Sequence, residues 1–478
     1  MSRVPIAHMS RIPKLAFITV LLAVAIVLII FAYWAILPVR ITLDIAEKAP
    51  LSAEALIKTR RPTELTLRIA GRDNNDLHVQ FSGFSRRIRT AALPDAYPVI
   101  EIRRQLPDRI APGMIFMHLG HYDEEGDFQA LPSAIDSYGR VRWFYDGDIG
   151  HVLKHLENGH LLIQDTRNKE IGRLAEIDLL GRRIAERANV QTGIHHDACL
   201  MPNGNILALT SVEDSFEDGV VEIDGQNGEV LRGWDLRTIL APERPPQPRN
   251  LEEEDWLHIN GIDYNPGDDS MLLSGRDQSA VVKIHRARGR LQWILGNHRH
   301  WPQQFQPYLL EPADSSSFEC PWGQHAPMFH PDNPQRVLIY DNGNRRSYDN
   351  PLPPQQNYSR AVEYEIDPET MQIRQLWEFG RRYGFELYTP FIGDANYLPG
   401  GNRLLTFGGI THSLEGRPME IFDFEQNKVN RMKISAHIIE VTADLPAREL
   451  LHISLADPDP DTYRGYRCYR AVKMPLYP

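Results

Sequence analysis

A histidine and an arginine, His258 and Arg276, flank a stretch of sequence that is typical of one tight β-hairpin. Arginine is a permanent cation whose planar fork of donors fits tetrahedral oxyanions. Histidine can serve as a base, an acid or a nucleophile near neutral pH. The pair therefore predicts a site for an anionic group such as a sulfate or phosphate ester. Taken alone, the two residues also fit a hydrogen-bonded strand histidine and a surface cation, because single residues of these types are mostly structural or solvated.

The elements that would position these residues follow from an internal repeat. An apolar strand ending in Ile-Asp or a close variant, a turn with Gly or Asn, and a second strand that often carries Trp recur near residues 135, 177, 223, 284, 366 and 422. Each copy predicts a β-hairpin, because Asp and Gly form turns between apolar alternations. Further strands follow turns of the Asn-Gly type between the copies. Four short antiparallel strands per repeat are typical of a propeller blade.

The sequence thus predicts an all-β protein built on a six-bladed β-propeller over residues 109–478. Residues 38–108 lack the repeat and predict a small β extension, with strands near 41–43, 65–69 and 99–102. The wider spacing of the later copies predicts inserted loops, because 242–254 and 301–317 are rich in Pro, Gln or Ser.

The N-terminal region 1–37 predicts a cytoplasmic tail and one transmembrane helix. Residues 15–37 contain no charge, and Thr19 is their only polar member. Such a run is long enough to span a bilayer. Lys and Arg precede it more often than they follow it, so we expect a single-pass anchor in the inner (plasma) membrane, with the propeller on the periplasmic side. A cleaved export signal is the alternative, and it would export the same domain.

The composition of the chain limits the classes of partner that we expect it to bind. The formal net charge of −11 argues against nucleic-acid binding, which needs a cationic surface. The three cysteines are too few for a disulfide scaffold and show no zinc-binding spacing, although one pair remains open. Homodimerisation and docking on a membrane partner also remain open.

The histidines share one place in the repeat. His151, His196, His258 and His325 each lie about seven residues before the turn that joins the first two strands, and Asp394 takes this place in the fifth repeat. In a propeller the strand leading into this turn runs near the central channel. These residues are therefore expected to converge on one axial site. Hydrogen bonding between blades is the alternative reason for histidine at this place.

A ring of imidazoles could also bind a transition metal, because neutral histidine is a common metal ligand. Arg276 argues against this, since a guanidinium repels a divalent cation. No carboxylate ligand is evident beyond Asp197 or Asp394. We therefore expect an anion site with no metal and no cofactor.

Several long motifs, in the same order along the chain, resemble those of the bacterial arylsulfate sulfotransferases. The resemblance covers roughly residues 110–478 and is carried by 193–197, 202–205, 255–264, 274–276, 279–284, 322–325, 341–344, 359–364 and 386–390. It implies a six-bladed propeller that works outside the cytoplasm. It also implies transfer of a sulfuryl group from an aryl sulfate ester to a phenolic acceptor, without the nucleotide sulfate donor.

The resemblance also implies roles for individual residues. His325, in the Gly-Gln-His motif, would be the nucleophile that becomes transiently sulfated, which predicts ping-pong kinetics. His258 and Arg276 would stabilise charge on the sulfuryl oxygens, and His196 would protonate the leaving phenolate and later deprotonate the acceptor. The remaining residues expected to contact substrate are His151, His195, Asn260 and Asp394.

The chain departs from the family pattern beside the nucleophile. Ala326 follows His325 where the family usually has Asp, so the sequence does not identify the residue that fixes the tautomer of the His325 imidazole. Only Cys320 lies nearby, where the best-known members carry a cysteine pair. Two alternatives therefore remain: a non-catalytic propeller docked on a membrane partner, and a His-ligated metalloenzyme.

Overall fold

A computed structural model describes most of the chain from residue 66 onward. The described backbone comprises residues 66–70, 76–81, 84–89 and 93–94, and then 97–475 apart from 123–127, 146, 168–169, 180, 247–254, 421–431 and 458–464. Apart from Val24 and Ile26, the apolar run 15–37 lies outside the described residues. Within the described part of the chain, no helix combines the length and the apolarity needed to cross a bilayer.

The N-terminal unit contains one small sheet. Its three strands are ordered β1-β2-β3 and comprise β1 (Thr66–Ala70), β2 (Asp76–Phe81) and β3 (Phe84–Arg89). The strand predicted near 65–69 corresponds to β1, and the one predicted near 41–43 lies outside the described residues.

The second unit is built almost entirely of short strands. In chain order they are β4 (Val99–Gln105), β5 (Met114–Tyr122), β6 (Phe128–Ala130), β7 (Ser133–Ile135), β8 (Val141–Phe144), β9 (Ile149–His155), β10 (Leu161–Asp165), β11 (Arg173–Ile177), β12 (Arg183–Asn189), β13 (Ala198–Leu200), β14 (Ile206–Val212), β15 (Ser215–Ile223), β16 (Val230–Asp235), β17 (Ile259–Asn265), β18 (Ser270–Gly275), β19 (Ala280–His285), β20 (Arg290–Gly296), β21 (Glu311–Pro312), β22 (His325–His330), β23 (Asn333–Asp341), β24 (Arg360–Asp367), β25 (Gln372–Phe379), β26 (Asp394–Tyr397), β27 (Arg403–Ser413), β28 (Met432–Val441), β29 (Glu449–Ala456) and β30 (Tyr466–Met474). Short 3-10 helices occupy Pro107–Arg109, Leu236–Thr238, Gln303–Tyr308, Pro354–Gln356 and Arg381–Leu387.

These strands form six antiparallel blades, which confirms the predicted all-β class and the six-bladed propeller. From the innermost strand outward, blade 1 is β30-β5-β7-β8, blade 2 is β9 to β12, blade 3 is β13 to β16 and blade 4 is β17 to β20. Blade 5 is β22 to β25 with β21 added in parallel, and blade 6 is β26 to β29 with β4 added at its outer edge. Five of the six predicted hairpins are the two outer strands of blades 1 to 5. The copy near 422 lies outside the described residues, and β28 and β29 form the corresponding hairpin.

The ring is closed twice by pairing strands from opposite ends of the chain. The C-terminal β30 pairs with β5 as the innermost strand of blade 1, and β4 pairs with β29. The sequence had placed β4 in the extension 38–108 because its residues do not show the repeat. Pairing with β29 places β4 in the propeller, which therefore begins near residue 99 rather than 109.

The core consists of apolar layers between neighbouring blades. Six buried clusters of the described side chains lie at the six blade junctions. The aromatic residues Trp143, Trp234, Trp293 and Trp377 of the outer hairpins are buried in these layers. The layers hold the blades apart at a fixed angle, so that the six innermost strands surround one axis.

Candidate functional site

Four histidines converge where the innermost strands begin. His151 lies in β9, His196 shortly precedes β13, His258 directly precedes β17, and His325 opens β22. The ring centroid of His196 lies 5.0 Å from that of His151 and 4.8 Å from that of His258. The charge of a protonated His325 would act on His196 strongly enough to influence its pKa. The equivalent places in four blades therefore supply one cluster of imidazoles.

The backbone adopts the left-handed conformation at the same place in four blades. The φ angles of His196, His258, Ala326 and Ile392 are 52°, 52°, 47° and 51°. Such angles are uncommon for residues other than glycine, and they concentrate at functional sites. These four blades thus turn the chain sharply near the start of the innermost strand.

His325 is buried and held by a side-chain amide. Its Nδ1 lies 2.7 Å from Oδ1 of Asn342. The Nδ2 group of Asn342 donates to the carbonyl oxygens of Thr389 and Ile392 at 2.8 and 2.7 Å, which directs Oδ1 toward the histidine. An amide oxygen only accepts, so Nδ1 of His325 carries the hydrogen and Nε2 carries the lone pair. Asn342 thereby fixes the tautomer that Ala326 cannot fix.

The surroundings keep His325 uncharged. Burial lowers the pKa of His325 well below 6.5, and the charge of Arg276 lowers it further. The hydrogen bond that His325 donates to Asn342 opposes this shift without reversing it. His325 is therefore a neutral imidazole with one free basic nitrogen, which is the form that a nucleophile requires.

The residue before His325 is clamped to blade 4. The carbonyl oxygen of Gln324 accepts hydrogen bonds from Nδ2 of Asn260 at 2.9 Å and from Oγ of Ser274 at 3.0 Å. The side-chain amide of Gln324 donates to Gly275 and Ala280. Asn260, which was predicted to bind substrate, is therefore seen here as a support for the backbone that carries His325.

Arg276 lies beside His258, as the hairpin between them predicts. Its backbone N–H donates to the carbonyl of His258 at 3.1 Å, and β17 and β18 form the hairpin. The guanidinium is buried, with Nη2 3.5 Å from the carbonyl oxygen of Pro390 and Nη1 3.5 Å from Oδ1 of Asp277. This buried guanidinium, whose charge acts on the neutral imidazole of His325, is suited to hold an anionic group.

His258 has surroundings opposite to those of His325. Its Nδ1 lies 2.7 Å from Oδ2 of Asp255 and 3.0 Å from Oε2 of Glu217. Burial alone would lower the pKa of His258, but the charges of Glu217 and Asp255 outweigh burial and raise it to about 9. The expectation that no carboxylate lies at the histidines beyond Asp197 or Asp394 was wrong. Glu217 comes from another blade and Asp255 from the preceding loop, and both contact His258.

His195 and His196 are uncharged neighbours of this group. Their Nδ1 atoms lie 3.1 Å apart, and Nδ1 of His196 lies 3.5 Å from Oε2 of Glu217. Burial and the nearby imidazoles lower the pKa of His196 well below 6.5. By donor type and spacing, two sets of these residues could hold a metal ion: His195, His196 and Glu217, and Glu217, Asp255 and His258.

A cavity of about 310 Å³ occupies the axial channel beside the histidines. All six innermost strands line it, and His151 and Asp394 lie in its wall. Burial raises the pKa of Asp394, whose carboxylate accepts from Asn396 Nδ2 at 2.7 Å. Of the predicted site residues, His151 and Asp394 thus face this cavity, whereas His196, His258, Arg276 and His325 lie outside its lining.

Blade 1 contributes residues that the sequence did not identify. Tyr469 stacks on His151 with ring centroids 4.9 Å apart. Arg470 Nη1 and Lys154 Nζ bind Oδ1 of Asp197 at 2.6 and 2.7 Å. Asp197 also accepts the backbone N–H of Ile262 and so links innermost strands of blades 1 to 4. β30 pairs with β5, which lies far earlier in the sequence, so the offset from a turn between the first two strands does not apply to this blade.

Three further residues were missed for different reasons. Asn342 and Asp255 lie inside quoted motifs but carried no distinguishing signal. Glu217 lies on β15, in the middle of a blade, where no repeat position marks it.

The three cysteines are free thiols, so neither Cys199 nor Cys320 forms a disulfide.

Comparisons with known proteins identify a family and several relatives of this chain. The family model described as Arylsulfotransferase (ASST) matches residues 99–449. The arylsulfate sulfotransferase AssT of Escherichia coli O6:H1 is 26% identical over 395 residues, which cover 67% of this chain and 63% of that protein. AssT of Lelliottia amnigena is 24% identical over 389 residues, again covering 67% and 63%. The chain thus spans about 63% of the length of the curated relatives it matches.

Among solved structures, hydrazine synthase of Kuenenia stuttgartiensis aligns with 66% of this chain and 69% of its own at 12% identity, with a TM-score of 0.34. The family match begins at the first strand of the propeller and spans most of the chain. The chain belongs to the arylsulfotransferase (ASST) family.

Proposed function

We propose that this protein transfers a sulfuryl group from an aryl sulfate ester to a phenolic acceptor through a sulfated His325. The observation that carries the proposal is the pairing of His325 with Asn342. The imidazole is buried and neutral, and its Nδ1–H is held at 2.7 Å by an amide oxygen, so that Nε2 is the reactive atom. Membership of the ASST family supports the same reaction.

In the first half-reaction, the lone pair on Nε2 of His325 forms a bond to sulfur, and the bond between sulfur and the aryl oxygen breaks. The electron pair of that bond leaves with the aryl oxygen, which takes up a proton. The imidazole becomes positively charged on sulfation, and Oδ1 of Asn342 accepts the Nδ1–H of this cation. The hydrogen-bond acceptor that the resemblance led us to expect from an Asp at position 326 is thus the neutral amide oxygen of Asn342.

Charge on the transferring sulfuryl oxygens needs fixed donors. Sulfuryl transfer resembles phosphoryl transfer, in which a loose in-line transition state spreads negative charge over three oxygens. The guanidinium of Arg276 is buried in the same site and acts electrostatically on His325. Because burial weakens screening, its stabilisation of these oxygens exceeds that of an exposed cation.

In the second half-reaction, the acceptor phenol loses a proton and its oxygen attacks sulfur, which releases Nε2 of His325. The two half-reactions are chemical mirror images, so the group that protonates the leaving phenolate also deprotonates the acceptor. His196 was predicted for this task. Its depressed pKa means that it stores no proton near neutral pH.

We also propose that the propeller works outside the cytoplasm, anchored by residues 15–37. The support is the uncharged apolar run and the excess of Arg and Lys before it. Membrane fractionation of the full chain with protease protection of the propeller tests this: carbonate-resistant, periplasmically cleavable protein is expected, and protein released by carbonate would contradict the anchor.

The function is tested by incubating the purified chain with 4-nitrophenyl sulfate and excess phenol. We expect 4-nitrophenol and phenyl sulfate in equal amounts, in initial-rate patterns of the ping-pong type. Release of 4-nitrophenol with inorganic sulfate would indicate a sulfatase. Absence of any turnover across a range of aryl sulfates would favour the non-catalytic propeller.

A further inference from the structure

The loop before β17 is held by two consecutive acidic residues of the neighbouring blade. Oδ1 of Asp218 accepts the backbone N–H groups of Leu257 and His258 at 3.1 and 3.2 Å. Oε2 of Glu217 lies 3.0 Å from the ring nitrogen Nδ1 of the same histidine. Asp218 thus holds the backbone of His258, and the preceding Glu217 contacts its ring.

Consecutive strand residues normally point to opposite faces. Glu217 escapes this alternation because its φ is 57°, and it lies where the pairing of β14 with β15 shifts register, between Ser215 and Gly219. A left-handed backbone at glutamate is strained, and such strain persists where the surrounding structure enforces it. The distortion brings Glu217 and Asp218 to the same side, toward His258.

A second carboxylate reaches the same nitrogen from the other direction. Oδ2 of Asp255 lies 2.7 Å from Nδ1 of His258, three residues later in the chain. Glu217 is 6% exposed, and its Oε2 contacts Nδ1 of His258 at 3.0 Å and Nδ1 of His196 at 3.5 Å. Two carboxylates within 3.0 Å of one ring nitrogen hold a hydrogen there, so Nε2 is the nitrogen left for substrate.

We infer that Glu217 and Asp255 are positioning residues that keep His258 doubly protonated, and that His258 gives its Nε2 proton to the departing aryl oxygen. This inference rests on the proposed function. When S–O cleavage leaves the electron pair on the aryl oxygen, the Nε2–H bond breaks and that proton forms the phenol. His258 is then neutral, with its Nδ1–H still between the carboxylates, and its Nε2 lone pair takes the proton of the incoming acceptor.

The same site explains why His258 is favoured over His196 for this task. His196 touches Glu217 only at 3.5 Å and is surrounded by His151, His195 and His258, which oppose its protonation. His258 has two carboxylates within 3.0 Å. A protonated imidazole, His258, therefore lies beside a neutral one, His196.

The test is the dependence of rate on the leaving phenol. Single-turnover release of phenol is measured for 4-nitrophenyl sulfate, whose phenolate is weakly basic, and for phenyl sulfate, whose phenolate is strongly basic and needs a proton. For Glu217→Gln and Asp255→Asn, we expect a loss of about 10²-fold or more with phenyl sulfate, the usual scale of general acid catalysis, and of less than about tenfold with 4-nitrophenyl sulfate.

Glu363→Gln is the matched control. Glu363 is a buried carboxylate on β24 that binds Arg403, away from the histidines. Its loss of rate, if the fold is weakened, is expected to be equal for both esters. If Glu217→Gln does not fold, Asp255→Asn alone decides, since the side chain of Asp255 is 15% exposed.

Equal losses for both esters in the Glu217 and Asp255 variants would overturn the inference while leaving the proposed function standing. Loss of wild-type activity on chelation, with recovery on adding Zn²⁺ or Mn²⁺, would also overturn it, because the carboxylates would then bind a metal rather than a proton. An inactive wild-type chain would instead contradict the proposed function.

Discussion

His325 in blade 5 and His258 in blade 4 occupy equivalent places in the propeller but have opposite surroundings. His325 faces the neutral amide of Asn342, and burial lowers its pKa well below 6.5. His258 faces Asp255 and Glu217, whose charges raise its pKa to about 9. The fold repeats the position of an imidazole, and the partner of Nδ1 decides whether that imidazole stays neutral or is protonated.

The largest expected effects come from exchanging each ring for an amide. His325→Gln should abolish release of 4-nitrophenol, with a loss of at least about 10⁴-fold, as is typical when a covalent nucleophile is removed. His258→Gln should reduce the release of phenol from phenyl sulfate by about 10²- to 10³-fold, the usual scale for loss of a general acid, and still allow one equivalent to form slowly. Rapid-quench kinetics distinguish the two, with His437→Gln as a control in a buried histidine pair of blade 6. Similar residual rates in both variants would remove the distinction between the two blades.

Arg276→Lys tests the guanidinium whose charge acts on His325. A lysine keeps the positive charge but not the planar fork, so we expect kcat to fall by about 10²-fold. Circular dichroism melts show whether the fold is kept. Turnover within about threefold of wild type would mean that Arg276 does not bind the sulfuryl oxygens.

Asn342→Asp would give His325 the kind of partner that His258 has. A carboxylate next to Nδ1 raises a histidine pKa, and a ring with a raised pKa is protonated, and so not nucleophilic, below that pKa. Wild-type sulfation of His325 should not fall as pH decreases to 6.5, because its pKa lies well below that value. The variant should lose rate as pH falls through neutrality, by about tenfold for each unit below its new pKa. Pre-steady-state rates between pH 6 and 9 measure this, and an unchanged profile would show that Asn342 does not contact His325 in solution.

The smallest effect is expected for Ala326→Asp. This substitution restores the residue usual in the family, but Asn342 already fixes the tautomer, so activity should change by less than about threefold. Ala326 lines the axial cavity, which leaves room for the larger side chain. A large gain in kcat would mean that Asn342 is an incomplete substitute.

Most of the fold could be predicted because propeller blades repeat. Asp and Gly turns recur at a regular place, and the offset from the Asn-Gly turn identified the histidines of blades 2 to 5. The strand β4 was missed as a blade strand because it supplies one edge strand without a hairpin. Tyr469 and Arg470 were missed because the innermost strand of blade 1 comes from the end of the chain.

The partners of the histidines could not be predicted from spacing. Glu217 reaches His258 from another blade through a left-handed backbone, and the sequence separation of 41 residues carries no periodic signal. Asn342 reaches His325 across the β22–β23 pair. A position in a repeat determines where a side chain lies, whereas its pKa depends on contacts made in three dimensions.

The most direct test of the account is the site of covalent sulfation. The full chain is mixed with 4-nitrophenyl sulfate without acceptor, quenched at high pH to preserve the acid-labile N–S bond, digested, and analysed by tandem mass spectrometry. We predict a single sulfated peptide with the modification on His325, which disappears when phenol is added before the quench. Sulfation of His258 or His196 instead, or turnover without any sulfated histidine, would contradict the central claim.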